Sequence, residues 1–318
     1  MGKYFLKRFG MMLLTMFFIM TIGFFALHMM PGGPYDDDPE LSQEELDRLN
    51  AKLHLDEPIH VQYFLFIKGI VLDNNWGVSI KMRPGVDAFT ILMERIPVSL
   101  RLNVLSLLIS IPLGIIGGTI AALSKNKWPD YVISFMVILC ISVPSFVFGS
   151  TMQYFLSGKL KWFPVIYDSQ HGLTTQYYSM VLPVLALSFG PIATITRYLR
   201  GELIENLTSE YMLLARTKGL KKYRAVVRHA FRNSMVPLAN VIIPMLTHIM
   251  GGSLVVETIF SIPGIGGILT TSINAHDYSL AMGAMLFYSF ISVVTIFIVD
   301  VSYGIIDPRI RLGAKKNG

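Results

Sequence analysis

Charge is what this sequence has least of. Asp, Glu, Lys and Arg make up 15% of its 318 residues and hydrophobic residues 53%, where a soluble domain carries about 25% charged. That balance excludes a soluble enzyme, and so apolar a chain is no disordered tail. The single cysteine, Cys140, lies inside an apolar run, so neither a disulfide framework nor a thiolate zinc site is available. The histidines lack ligand spacing, which argues against metal binding. Catalytic signatures are missing as well: no H-E-x-x-H and no G-x-S-x-G occurs. Nor does the phosphate-cradling G-x-x-x-x-G-K-[ST]; its nearest fragment, Gly158-Lys159, lacks the upstream glycine.

The abundant apolar residues are clustered. Six runs are long enough to cross a hydrocarbon core about 30 Å thick: Phe9–Met30, Pro97–Leu123, Val132–Leu156, Met180–Leu199, Val236–Phe260 and Leu280–Tyr303. These predict an all-α membrane protein with six transmembrane helices. The fourth run is interrupted by Pro183, Gly190 and Pro191, which a membrane helix tolerates when neighbours re-satisfy the freed backbone groups. The first run follows Lys3, Lys7 and Arg8 as a signal peptide would. It is longer than a signal core and no A-x-A-like site precedes Pro31, so an uncleaved first helix is expected.

Basic residues set the orientation. With residues 1–8 inside, 18 of the 27 Lys and Arg fall on the cytoplasmic side, in the N-terminus, around Lys125 and Lys127, in residues 200–235 with nearby Arg197, and in the tail 304–318. The outer loops after spans three and five hold only Lys159 and Lys161. The outer loop 31–96 is too long to count in the positive-inside rule. Both termini are therefore expected in the cytoplasm, and the net charge of +6 reads as topology and not as nucleic-acid binding. In the outer loop, Ser42 and Glu45 form a capping-box pattern ahead of a helical stretch to Leu53. Asp36, Asp37 and Asp38 lack calcium-loop spacing and read as a solvated turn. Tyr63, Phe64, Phe66 and Trp76 are expected to rest on the bundle or the membrane interface.

The loop 200–235 is the most informative segment. Tyr211 to Lys218 can form two helical turns, stopped by Gly219. A second helix follows, with Tyr223, Val226, Val227, Ala230, Phe231 and Ser234 on one apolar face and Arg224, Arg228 and Arg232 four residues apart on another. Pro237 predicts a break before span five. By periodicity, a basic helix resting on anionic headgroups and a docking surface for a soluble partner are both open.

Here the sequence resembles a family. Ala215-Arg216-Thr217-Lys218-Gly219-Leu220, then His229-Ala230-Phe231-Arg232-Asn233 and Pro237, are similar to the cytoplasmic EAA loop of ABC importer permeases, in particular the B-type permease of the oligopeptide/dipeptide branch. Met30-Pro31-Gly32-Gly33-Pro34, Gln62-Tyr63, Trp76-Gly77-Val78-Ser79 and Arg95-Ile96-Pro97 extend the likeness upstream. Gly251-Gly252, Val255 to Phe260, Pro263-Gly264-Ile265-Gly266, His276-Asp277-Tyr278 and Asp307-Pro308-Arg309-Ile310 extend it downstream. Glu210, Thr217, Lys221, Gly33 and His276 depart from the family pattern without removing the glycine bend.

The resemblance implies the type I ABC importer permease fold in a bacterial plasma (inner) membrane. It implies a second related permease subunit, two cytosolic ATPase subunits that carry ATP and Mg, an extracytoplasmic substrate-binding protein and a peptide substrate, with nickel complexes or another small solute as the alternative. This chain itself would hold no cofactor and catalyse nothing. Glu210, Tyr211, Ala215, Arg216, Lys218, Gly219 and Leu220 would couple it to the ATPases. Residues that can line a path are Asn103, Ser106, Ser110, Ser145, Gln153, Gly252 and Ser289, with helix packing as the competing reading. His248, Glu257 and Asp300 join them because ionisable groups at membrane depth face a cavity or a partner. A secondary transporter would leave the glycine-broken basic loop unused.

Overall fold

The computed structural model describes residues 2–29, 44, 47, 50, 51, 54–247 and 251–306. Outside them lie the expected Ser42–Glu45 capping box, the Asp36–Asp38 turn, His248 and the tail from Asp307. Among the described residues there is no strand, only an isolated antiparallel bridge between Val78 and Asp87. Four helices are long and apolar enough to cross a membrane, or five if one bent pair counts as a span. The chain divides into two compact units, Gly2–Pro97 with Gly264–Val294, and Val98–Pro263 with the chain from Thr295.

The first unit is built on α1 (Gly2–His28), α2 (Ile59–Asp73) and the opening turns of α3 (Ala88–Leu123), with α12 (Ile268–Asn274) and the start of α13 (Tyr278–Ile306). The outer-loop aromatics do rest on the bundle. Phe24 is buried and meets the rings of Tyr63 and Phe66 at centroid distances of 5.3 and 5.2 Å. The Tyr63 hydroxyl also shares a 2.7 Å hydrogen bond with that of Thr21. Trp76 packs against a core of Ala88, Ile91, Leu92, Ile265, Ile268, Leu280 and Phe287. Phe64 alone of the four faces outward, 67% exposed. Helix α3 begins well before Pro97, because Asp87 accepts the Thr90 N–H at 3.3 Å and caps a turn that the hydropathy run does not mark.

In the second unit α3 packs along α7 (Val181–Leu207) through small residues. A side chain at Gly114 would sit 2.7 Å from Ile195 Cβ, and one at Gly118 would sit 2.9 Å from Leu199 Cβ. Backbones can approach this closely only without a Cβ. The expected third span, Val132–Leu156, is not one straight helix. It is α4 (Trp128–Ser142) followed by α5 (Ser145–Met152), which continues as a π-helical turn to Lys159, and the two halves meet at 97°. Pro144 explains the bend: it cannot donate to the preceding turn and holds Val143 extended at φ −98°, ψ 121°.

The expected fifth span falls on α10 (Arg232–Thr247) and the short α11 (Leu254–Ile259). Pro237 does not break the chain, contrary to its sequence reading. It lies inside α10 together with Pro244, held by fully buried neighbours Ser234 and Leu238. Tertiary packing here outweighs the local preference.

Candidate functional site

Helix α8 (Glu210–Thr217) and the helical segment after it form a small platform on the end of α7. Helix α8 opens with Glu210 in its first turn, where a carboxylate suits the positive end of the dipole. It ends in a Schellman motif: Leu220 N–H donates to Ala215 C=O at 3.2 Å and Gly219 N–H to Arg216 C=O at 3.0 Å. Gly219 sits in the left-handed region at φ +84°, which only glycine adopts without cost. Met212 and Ala215 are buried against Leu203, Ala225, Val226 and Ala230, and Leu220 closes that cluster. Burying Met212 contributes about 1.5–3 kcal/mol to holding the helix down.

What remains faces out. Leu213 is 65% and Leu214 55% exposed, an apolar pair beside exposed Tyr211, Arg216 and Lys218. The next segment is α9 (Lys222–Ala225), continued by a π-helical turn over Val226–Phe231 into α10. The wider turn rotates the expected apolar face apart. Val226, Ala230 and Ser234 are buried, whereas Tyr223 and Val227 point outward, because i→i+5 bonding adds about one residue per turn. Arg224, Arg228 and Arg232 are exposed as expected, and among the described residues none of them forms an ion pair.

Two buried carboxylates brace the chain: Asp130, which sequence reasoning did not single out, and Asp277, which it named only as part of a motif. Asp130, 2% exposed, accepts a bidentate pair from Arg200: Nε to Oδ1 at 2.6 Å and Nη2 to Oδ2 at 2.8 Å. It also takes the Asn126 N–H at 3.0 Å, tying the α3–α4 turn to the end of α7. Arg200→Ala is expected to destabilise the protein by about 3 kcal/mol, low in the range for a broken buried pair because Arg200 is itself 32% exposed. Thermal unfolding of the purified protein measures it. Asp130→Asn added to Arg200→Ala should recover part of the loss, since no unpaired charge then remains.

The other is Asp277, fully buried. It accepts from the Ser79 hydroxyl at 2.6 Å and from the N–H groups of Ile80, Lys81 and Met82 at 3.0–3.2 Å, and it caps α13 through Leu280 N–H at 3.2 Å. Burial alone would raise its pKa, but the Ser79 and backbone hydrogen bonds outweigh it and hold the carboxyl below its ordinary value. Two motifs far apart in sequence thus meet: Trp76-Gly77-Val78-Ser79 and His276-Asp277-Tyr278. Close approach is built in, since a side chain on Gly283 would lie 2.7 Å from the Trp76 carbonyl oxygen.

The residues expected to line a path differ in burial. Ser106 and Ser110 are buried and share hydrogen bonds with Ser188 of α7, at 3.2 Å to its hydroxyl and its carbonyl respectively. Glu257 is buried, accepting from the Ser99 hydroxyl at 2.7 Å and the Ser253 N–H at 3.1 Å. The Gln153 amide braces the carbonyls of Val165 and Ile259 at 2.8 and 2.9 Å. Ser289, nearly buried, donates to Met285 C=O at 2.7 Å within α13. Asn103, Ser145, Gly252 and Asp300 are half-buried. Among the described residues no group of three or more His, Cys, Asp or Glu could hold a metal.

Residues 110–312 match the model of the binding-protein-dependent transport system inner membrane component, and residues 1–102 match that of its N-terminal region. A dipeptide transport system permease protein of Lactococcus lactis is 40% identical over 312 residues, covering 98% of this chain and 100% of the relative. One from Bacillus subtilis is 36% identical over 315 residues, at 99% and 100% coverage. An oligopeptide transport system permease protein of Haemophilus influenzae is 32% identical over 311 residues, at 98% and 100%. The chain is a multi-pass inner-membrane protein and belongs to the binding-protein-dependent transport system inner membrane component family.

Proposed function

We propose that this chain is one permease subunit of an ATP-driven importer of short peptides, forming half of the translocation pathway. The observation that carries the reading is the platform: a helix fixed by a Schellman end, presenting Leu213 and Leu214 beside the exposed cations Arg216 and Lys218. It stands in a chain alike over its full length to permeases named for dipeptides and oligopeptides. With no phosphate-cradling motif of its own, the chain takes ATP energy through a surface. Glu210, Tyr211, Ala215, Arg216, Lys218, Gly219 and Leu220 form the coupling helix and its stop, seated on a cytosolic ATPase subunit that holds ATP and Mg. The buried Met212 and Ala215 transmit its movement to α7.

In this reading the segment of α10 and α11 completes six spans, and both termini are cytoplasmic, which the distribution of basic residues supports. A related permease supplies the other half of the path, two ATPase subunits drive it, and an extracytoplasmic binding protein delivers substrate. Asn103, Ser145, Gly252 and Asp300 are the path candidates that retain accessibility. Ser106, Ser110, Gln153 and Glu257 act in holding segments together, and Ser289 bonds within its own helix. Uptake of labelled di- to hexapeptides in cells lacking this chain tests the proposal. Uptake should be lost and return with the restored gene; unchanged peptide uptake with a nickel complex or another solute lost would overturn it.

A further inference from the structure

The bend at Pro144 opens a cleft within the second unit, about 370 Å³ in volume, between the end of α4, the start of α5 and the middle of α7. That is within the size range of small-ligand sites. No charged side chain lines it. Two prolines leave backbone carbonyls of its lining residues without their helical donors. Pro144 has no N–H to give the Cys140 carbonyl, and the Val143 N–H is already used in its own helical bond to Leu139 at 3.1 Å. Pro191, inside α7, likewise gives none to Leu187. Cys140 and Leu187 both line the cleft. The Ser145 hydroxyl, also on its wall, has no hydrogen-bond partner among the described residues. Thr194 donates its hydroxyl proton to Gly190 C=O at 3.0 Å, which leaves its oxygen able to accept. At Gly190 a side chain would meet nothing within 4 Å, so the wall there is open.

An acceptor-rich, cation-free cleft with apolar sides formed by Val143 and Phe148 selects a ligand that brings donors. We propose that it is a subsite for the amino end of a short peptide, taking the α-ammonium and first peptide N–H on these oxygens and leaving the carboxylate outside, where no cation is needed. This rests on the peptide-import reading and adds the end by which the peptide is held.

Cys140 reports on the cleft, being the only cysteine of the chain and half-buried on its wall. The assembled importer in native membranes is treated with N-ethylmaleimide, and modification of Cys140 is followed by mass spectrometry of this chain. Alanyl-phenylalanine and its C-terminal amide should slow modification several-fold, and the N-acetyl form should not. Ser145→Ala should weaken that protection. Gly190→Leu, which fills open space, should cut uptake several-fold while leaving the thermal stability of the complex unchanged. If alanyl-phenylalanine is imported while Cys140 reacts at the same rate with or without it, the subsite is wrong and the importer reading stands. Equal protection by the acetylated peptide would overturn the amino-end assignment. If the unmodified importer takes up no peptide at all, both fail together.

Discussion

Replacing Asp277 with alanine is expected to leave little folded protein in the membrane. The side chain is fully buried and satisfies one hydroxyl and four backbone N–H groups at 2.6–3.2 Å, three of these from the consecutive residues 80–82 and one from the first turn of α13. Each donor stranded away from water costs about 1–3 kcal/mol. The losses are not additive, yet about 5 kcal/mol is a modest total, and that is comparable to the whole stability of a marginal domain. Asp277→Asn should fall between, because one oxygen still accepts while the new amide donors oppose the N–H groups that Oδ2 now serves. Quantitative immunoblotting of membranes reads the first effect, and thermal unfolding of the purified complex the second. The acid response separates charge from shape. The folded carboxyl is held below its ordinary value, so its stabilisation is complete above the unfolded pKa of about 3.9 and is lost as pH falls through the folded value. Below about pH 3.9 the natural protein should lose stability that the Asp277→Asn variant never had. Identical acid profiles would show that Asp277 carries no charge-dependent stability.

The apolar runs were legible because membrane spans are written in composition: α1, α3, α7 and α13 cover the runs beginning at Phe9, Pro97, Met180 and Leu280. The glycine stop of α8 was legible because a left-handed residue after a helix has few substitutes for glycine. The outer-loop aromatics were legible except Phe64, since hydrophobicity marks which residues want cover but not which side of a helix receives it. What could not be read were pairings across long separations. Asp130 with Arg200, Ser79 with Asp277 and Ser106 with Ser188 stand 70, 198 and 82 residues apart. Periodicity gives a helix its faces but not its neighbours. The bend at Pro144 had a signal, a proline after an extended-favouring valine, but the apolar run around it hid the break. At Pro237 the same residue type left the helix intact, because packing of Ser234 and Leu238 held it. The path candidates show the same boundary. Ser106 and Glu257 are buried and bonded, and only the identity of their partners, Ser188 and Ser99, distinguishes a helix contact from an open lining.

Gly219→Val is expected to cut coupled transport roughly tenfold or more without removing the protein from the membrane. Gly219 holds φ +84° at the C-terminal side of the Schellman motif, and no neighbour lies within 4 Å of where a side chain would begin. The penalty is therefore conformational and not steric. A non-glycine residue loses about 1–2 kcal/mol in the left-handed region, and a β-branched one lies at the upper end. The two closing hydrogen bonds, Leu220 to Ala215 and Gly219 to Arg216, would give way before the buried spans do. Leu220 would then leave the cluster of Met212, Ala215 and Val226, and α8 would lose its fixed angle to α7. With about 1.4 kcal/mol to a factor of ten, peptide uptake should drop roughly tenfold or more at an unchanged membrane level, while ATP hydrolysis by the assembled complex continues. Gly219→Asn is the control, because asparagine adopts the left-handed conformation with less strain, and it should keep most of the uptake. Normal transport by the valine variant would remove the coupling role from this helix. Loss in both variants would move that role from the backbone turn to contacts made by the glycine itself.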